Sequence, residues 1–272
     1  MQPTLGEPFS AVPDVHVIPT YWPVPGAGVL PMNAFLLHAE EPVLVDTGAG
    51  VLAGEFLAAL ESLIDIADLR WIWLTHEDRD HTGSLGRLLE LAPQATVISS
   101  FLSVGRIMPE HPFPLDRLRV VNPGDKVHVG DRTLETIRPP LFDSPGTTGF
   151  IDGLSGALFS SDCFGAPLPD LDEAAAASVS DLPFETVAAG QLAWATVDSP
   201  WVSTADPARL GAALESVVRL RPSAVLSSHL PPVHERVEEM AGRLRAAPDA
   251  DPVPPTTHDQ LTALLATMEP AS

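Results

Sequence analysis

Short apolar, β-branched runs bounded by turn residues recur along the first half of the chain, at Val15 to Ile18, Ala34 to Leu37, Pro42 to Val45, Trp71 to Leu74, Thr96 to Ile98 and Lys126 to Val129. The pattern resumes at Arg132 to Ile137, Gly149 to Ile151, Gly156 to Phe159 and Ala224 to Leu226. Runs of this length and composition predict strands. Between them, Gly54 to Leu63, Ser84 to Leu91 and Ala208 to Leu220 carry apolar residues at three- and four-residue spacing, the period of an amphipathic helix. Strands and helices therefore alternate, and strand-rich segments occupy both halves. Gly165 to Pro183, with four alanines among Asp and Glu, reads as an exposed acidic helix or flap rather than core. The stretch AAPDADPVPPTT reads as a Pro-rich linker, with Asp259 to Met268 forming a short docked helix after it. The expected division is one domain over 1–245 and a linker with terminal helix over 246–272, with no repeat and no second compositional domain.

Composition narrows the function classes. The chain has 272 residues, 45% of them hydrophobic, enough to bury one large core or two modest ones. Fifteen basic against 36 acidic residues give a net charge of −21, whose field opposes a nucleic-acid groove or an anionic membrane surface. Small molecules or protein partners are expected instead. No apolar run approaches the ~20 residues of a membrane span, and MQPTLGEPFSAVPD has neither a basic start nor an apolar signal core, so the expected location is the cytoplasm. The single cysteine, Cys163, excludes an internal disulfide and reads as a small buried packing residue.

The chemistry concentrates where one predicted strand ends. After the apolar LRWIWL, the stretch LTHEDRDHTG places His76, Asp78, Asp80 and His81 within six residues. Imidazole and carboxylate together suit divalent first-row metals. The alternative is a solvated, charged turn ahead of the helix at Ser84.

LTHEDRDHTG resembles the His-x-His-x-Asp-His loop of the metallo-β-lactamase superfamily, with Asp78 where its hydrolases carry a second His. Further landmarks follow in order. PVLVDTG, from Pro42 to Gly48, resembles the superfamily's early strand, with Asp46 bracing the metal loop. GALFSSDCFGA, from Gly156 to Ala166, resembles the strand that delivers the metal-bridging Asp, here Asp162. SSHLPP, from Ser227 to Pro232, resembles the last strand, whose His is His229. Within the superfamily the acidic third loop position and LFSSDCFGA are most similar to flavodiiron and oxygen-binding di-iron proteins, although Asp78 stands where those carry Glu.

The resemblance implies an α/β (α+β) fold, a four-layer αββα sandwich, and a binuclear centre. One metal position would comprise His76, Asp78, Asp143 and the bridging Asp162; the other would comprise Asp80, His81, Asp162 and His229. Asp143, in PPLFDSPGTTGF, stands where relatives place a ligand His. It is either an oxygen ligand in place of imidazole or a turn residue ahead of Ser-Pro-Gly. Four carboxylates balance two divalent cations, and a bridging hydroxide would take the centre to about −1. Such an oxygen-rich set favours iron or manganese over zinc.

Three functions remain open. The first is a di-iron protein that binds or reduces oxygen or nitric oxide. Nothing after His229 resembles a flavin phosphate loop, so its electrons would come from a separate donor protein. The second is a hydrolase of an ester, lactone, amide or phosphoester, with Asp80 orienting a hydroxide. The third is a non-enzymatic sensor or scaffold with a degenerate site. The remaining histidines read more plainly: His16, His38 and His128 as structural or surface residues, His234 as a helix start or pocket wall. In LAWATVDSPW, Trp194 and Trp201 fit a pocket wall and core packing equally.

Overall fold

The computed structural model describes residues 2–268; the last four residues of the expected 246–272 tail lie outside them. Two sheets form its centre. The first contains β1 (Thr4–Leu5), β2 (Phe9–Val12), β3 (Val15–Val24), β4 (Gly28–Leu37), β5 (Val43–Val45), β6 (Trp71–Trp73), β7 (Thr96–Ser99) and β8 (Leu118–Val120). Its order is β1-β3-β4-β5-β6-β7-β8, with β2 also on β3. The second sheet contains β9 (Lys126–His128), β10 (Thr133–Ile137), β11 (Gly149–Asp152), β12 (Ala157–Phe159) and β13 (Ala224–Leu226), in the order β13-β12-β11-β10-β9. The helices are α1 (Ala53–Glu61), α2 (Arg79–Thr82), α3 (Leu85–Leu91), α4 (Phe101–Ile107), α5 (Leu171–Ala174), α6 (Phe184–Asp198), α7 (Pro207–Arg219), α8 (Val237–Leu244) and α9 (His258–Met268).

Three apolar clusters make the layers. Between the sheets lie Val17, Phe35, Val45, Trp73, Phe150 and Phe159, with Phe150 and Phe159 stacked at 4.4 Å between ring centres. Outside the first sheet, Phe56 and Leu60 of α1 and Leu85 and Leu88 of α3 pack on Leu36, Ile72 and Val97. Outside the second, Val187 of α6, Leu210 and Leu214 of α7 and Met240 of α8 pack on Leu158 and Val225. Strands such as β5, β6 and β13 are buried on both faces, which is why their sequences are continuous apolar runs rather than alternating ones. The result is the αββα sandwich expected from the sequence.

Several elements differ from expectation. β3 and β4 are ten residues each, far longer than the runs at Val15 to Ile18 and Ala34 to Leu37. Pro19, Pro23 and Pro31 interrupt the strand pattern, yet sit within the paired register Val15↔Leu37 to Val24↔Gly28. Gly165 to Pro183 is not one exposed acidic helix: Asp170, Asp172 and Asp181 are exposed, as on a flap, but the segment is anchored in the core. Ala166, Leu168, Ala174, Val179 and Leu182 are buried, and only α5 and a single 3-10 turn at Val179–Asp181 are helical. Leu168 also exchanges backbone hydrogen bonds with Val29, at 2.7 and 2.8 Å, so the segment is stitched to β4. Leu192 to Asp198 belongs to α6, whose apolar residues are spread around the helix and leave no clean stripe to read. Among the described residues no helix is long and apolar enough to cross a membrane.

Candidate metal centre

Strands β5 and β6 run parallel, as do β12 and β13, so their C-terminal ends point to one edge of the sandwich. The loops leaving those four ends carry Asp46, the His76 to His81 stretch, Asp162 and His229; Asp143 joins them from the β10–β11 loop. The loop HEDRDH is not a solvated turn. His76 and His81 are buried, and Arg79 to Thr82 form the short helix α2.

Asp162 lies at the middle of the cluster. Its Oδ1 stands 3.2 Å from His81 Nε2 and 3.3 Å from His229 Nε2, while its Oδ2 stands 3.5 Å from His76 Nε2. Asp80 Oδ2 is 3.3 Å from His81 Nε2 and 3.5 Å from His229 Nε2. On the other side, Asp143 Oδ2 is 3.8 Å from His76 Nε2, and Asp78 shares that neighbourhood. All seven residues singled out in the sequence thus converge, in two groups that meet at Asp162.

Each imidazole is held by its other nitrogen. His81 Nδ1 donates to Asp46 Oδ2 at 2.8 Å, and His229 Nδ1 donates to the Pro31 carbonyl at 2.8 Å. His76 Nδ1 faces the hydroxyls of Thr75 and Ser161, each at 3.2 Å. The Thr75 hydroxyl donates to Asp46 Oδ2 at 2.9 Å, which leaves its lone pair for His76. All three Nε2 atoms are thereby turned inward, the arrangement by which proteins orient metal-binding histidines. Among the described residues, His76 Nε2, His81 Nε2 and Asp162 Oδ1 are buried without a hydrogen-bond partner. Leaving such atoms unpaired is costly. Two ligands about 2.1 Å from one cation stand about 3.0–3.4 Å apart, which matches the His81, His229 and Asp162 separations. The residues fit a metal.

Electrostatics agree with this. Burial alone would lower the pKa of His229, but the carboxylates of Asp162 and Asp80 outweigh it and hold the imidazole at about 9. Against the same burial, Asp80, Asp46 and Asp162 raise His81 well above its ordinary value. Burial would raise Asp162, and His229, His76 and His81 instead pull it well below the ordinary carboxylate range. A field that holds protons on two buried imidazoles also attracts cations, and metal binding there releases those protons.

The Asp46 and Asp162 loops use unusual backbone. Asp46 has φ 59°, Ser161 φ 52° and Phe164 φ 72°, left-handed values that non-glycine residues seldom adopt. Asp46 spans the two loops, accepting from the Thr75 amide at 2.8 Å as well as from Thr75 and His81 side chains. Thr47 donates from its amide and hydroxyl to the His81 carbonyl at 2.7 and 3.0 Å. Gly83 donates to the Gly48 carbonyl at 2.9 Å, pressing the two loops together.

Two further residues, Glu77 and Asp198, matter and carry no mark in the sequence, and Trp194 resolves as a wall of the centre. Glu77 accepts from Ser103 and Ser144 hydroxyls at 2.6 and 2.7 Å and pairs with Arg106. Burial would raise the Glu77 carboxyl, and these bonds from Ser103, Ser144 and Arg106 lower it instead. It therefore ties the His76 loop to the loop of Asp143. Trp194 donates to the Asp162 carbonyl at 3.2 Å and packs 4.9 Å from the His229 ring, so it walls the centre. Trp201 instead donates to the Phe142 carbonyl at 2.7 Å and packs on the outer core. Asp198 lies beside Asp143 and Asp162. Burial first, then the charges of Asp162 and Asp143, push it up to about 8. No one-dimensional signal marks Glu77 or Asp198 as partners of residues far away in sequence.

The other residues considered lie elsewhere. His16 and His38 contact each other at 3.1 Å, His128 contacts Thr133, and His234 is exposed ahead of α8. Cys163 is buried, which pushes its thiol up to about 12 and leaves it unreactive.

The family described as ODP family beta lactamase matches residues 30–187, more than half of the chain, and the chain belongs to that family. It is 31% identical over 134 residues to the anaerobic nitric oxide reductase flavorubredoxin of Salmonella typhi, a match covering 49% of this chain and 28% of the relative. The flavodiiron protein from Giardia intestinalis has the same fold, with a TM-score of 0.76, 18% identity, and coverage of 90% of this chain and 59% of that one. Rubredoxin oxygen:oxidoreductase from Desulfovibrio gigas matches with a TM-score of 0.72 and 17% identity, over 89% of this chain and 61% of that one. This chain is thus similar to the metallo-β-lactamase-like core of such proteins, and spans under a third of that flavorubredoxin's length.

Proposed function

We propose that the chain holds two metal ions, most suitably iron, and binds or reduces oxygen or nitric oxide with electrons from a separate donor protein. The observation that carries this reading is the Asp162 carboxylate, which turns one oxygen to His81 and His229 and the other to His76. His76, Asp78, Asp143 and Asp162 would hold one ion, and Asp80, His81, Asp162 and His229 the other. When bound, two irons would supply one-electron steps between ferrous and ferric states. The chain's own part is to orient the three imidazoles through Asp46, Thr75, Ser161 and Pro31, and to anchor the Asp162 backbone through Trp194. On this reading 1–245 is the functional unit, with 246–272 a linker and terminal helix. That the flavorubredoxin is a nitric oxide reductase and the Desulfovibrio gigas protein an oxygen:oxidoreductase supports the choice of diatomic substrates.

One observation favours a second reading. The cleft over the centre, walled by Trp22, Met32 and Trp194, has a volume of about 650 Å³, far more than a diatomic needs. A hydrolase of an ester, lactone, amide or phosphoester would use that room, with Asp80 orienting a hydroxide. The test compares iron-loaded with zinc-loaded protein. Under the first reading the iron form bleaches on anaerobic reduction, recovers a near-ultraviolet band on exposure to oxygen or nitric oxide, and consumes oxygen when a chemical reductant is supplied. Turnover of esters or phosphoesters by the zinc form, without oxygen uptake by the iron form, reverses the assignment.

Asp143 provides a separate check. It accepts from the Ser144 amide at 2.5 Å through Oδ1, a turn contact, while Oδ2 faces His76. If Oδ2 is a ligand, Asp143→Ala should empty the His76 position and leave the His229 position filled. Asp143→His should refill it and shift preference toward zinc. Unchanged metal content in both variants makes Asp143 a turn residue only.

A further inference from the structure

Asp198 is placed against every ordinary preference of a carboxylate. It is the last residue of the 15-residue helix α6, where the helix dipole repels negative charge. It is partly buried, among the described residues its side chain accepts one hydrogen bond, from the adjacent Ser199 hydroxyl at 3.2 Å, and it faces two more carboxylates, Asp143 and Asp162. One oxygen from each of the three lies within 4.8 Å of the others. The fully buried His76 side chain points its unpartnered Nε2 at the same place, 3.5 Å from Asp162 and 3.8 Å from Asp143. Ionised together, three converging carboxylates beside an unpaired imidazole nitrogen need a cation to balance them.

We propose that Asp198 is a further ligand of the metal centre, closing its His76 side together with Asp143 and Asp162. This rests on the metal-centre reading above. A carboxylate is shorter than the imidazole that the resemblance places at position 143, and a second one, delivered by the last residue of α6, restores a ligand there. With Asp198 the centre carries five carboxylates, one negative charge more than two divalent ions neutralise. That excess favours hard cations and higher oxidation states, hence iron or manganese over zinc. Asp198 also lines the open cleft, so exchangeable solvent and substrate would meet the His76-side ion beside it.

The test uses metal-free protein comprising residues 1–272, titrated anaerobically with Fe2+, Mn2+ and Co2+, with metal per chain measured in the wild type, Asp198→Ala and Asp198→Asn. The wild type should bind two equivalents. Both variants should bind the first normally and the second more than about tenfold more weakly, the alanine variant worse. In the Co2+-loaded protein, the visible bands that report coordination number should change in both variants. The metal-free variants should melt higher than wild type, because a repelled carboxylate is gone, and should gain less on adding metal. If either folded variant keeps wild-type affinity for the second ion, or loses affinity with unchanged Co2+ bands, Asp198 is not a ligand. A wild type that binds no metal overturns the metal-centre reading itself, and this inference with it.

Discussion

Asp162→Ala is expected to lose both metal ions together, with affinity at each position falling by more than about 100-fold, because one side chain serves both groups of histidines. The comparison with mutation of an outer brace sets the scale: such residues cost about 10–100-fold, and a bridging ligand should exceed that. Among the described residues no other carboxylate reaches both groups: Asp80 pairs with His81 and His229 but not with His76. Metal analysis of the purified variant reads the result. Retention of two ions per chain would show that Asp162 bridges nothing. The same substitution has a signature in metal-free protein. His229 is held at about 9, above its unfolded value, so its contribution to stability is full below about pH 6.5, declines above it, and is gone once pH passes about 9. Asp162 is the largest charge holding that proton, so in Asp162→Ala the decline should end at lower pH. Thermal melting against pH, with chelator present, measures both curves.

Gly83→Ala is expected to destabilise the fold by about 3 kcal/mol, far more than a surface helix substitution would. The reason is not backbone conformation, since Gly83 has helical angles, φ −63° and ψ −28°. It is space. A Cβ at position 83 would sit 2.1 Å from the Gly50 amide nitrogen and 2.5 Å from the Gly48 carbonyl oxygen, both backbone atoms that cannot rotate away. The loop carrying His76 to His81 and the loop carrying Asp46 would be forced apart, stretching the bonds from Asp46 to His81 and from Thr47 to the His81 carbonyl. Metal affinity should fall along with melting temperature. Gly54→Ala, at a position with nothing within 4 Å of the added atom, is the control and should stabilise α1 slightly. Equal melting temperatures for the two variants would remove the close approach from the account.

The sequence by itself determined the alternation of strands and helices and the four clustered groups of LTHEDRDHTG, while the resemblance its motifs carry implied the αββα layering and the other three residues, Asp143, Asp162 and His229, that the structure brings to the same cluster. The reason is that both signals are local: a doubly buried strand must be a short apolar run, and LTHEDRDHTG packs four ionisable groups into one loop where such a run ends. Proline hid the length of β3 and β4, because register with neighbours, not local pattern, keeps Pro19, Pro23 and Pro31 in strands. The alanine and acid content of Gly165 to Pro183 reads as surface, while Ala166, Leu168, Ala174, Val179 and Leu182 anchor it in the core and Leu168 pairs with Val29. Tertiary structure alone decided which groups meet. Asp46 and Thr75, 29 positions apart, share hydrogen bonds, and Pro31 holds His229 from 198 positions away. Glu77 reaches Ser144 across 67 positions, and Asp198 arrives beside Asp143 and Asp162 at the end of a helix with no marked apolar face. A carboxylate's partner is fixed by distances of a few ångströms, and those are set by how the two sheets and their outer helices pack rather than by any spacing along the chain.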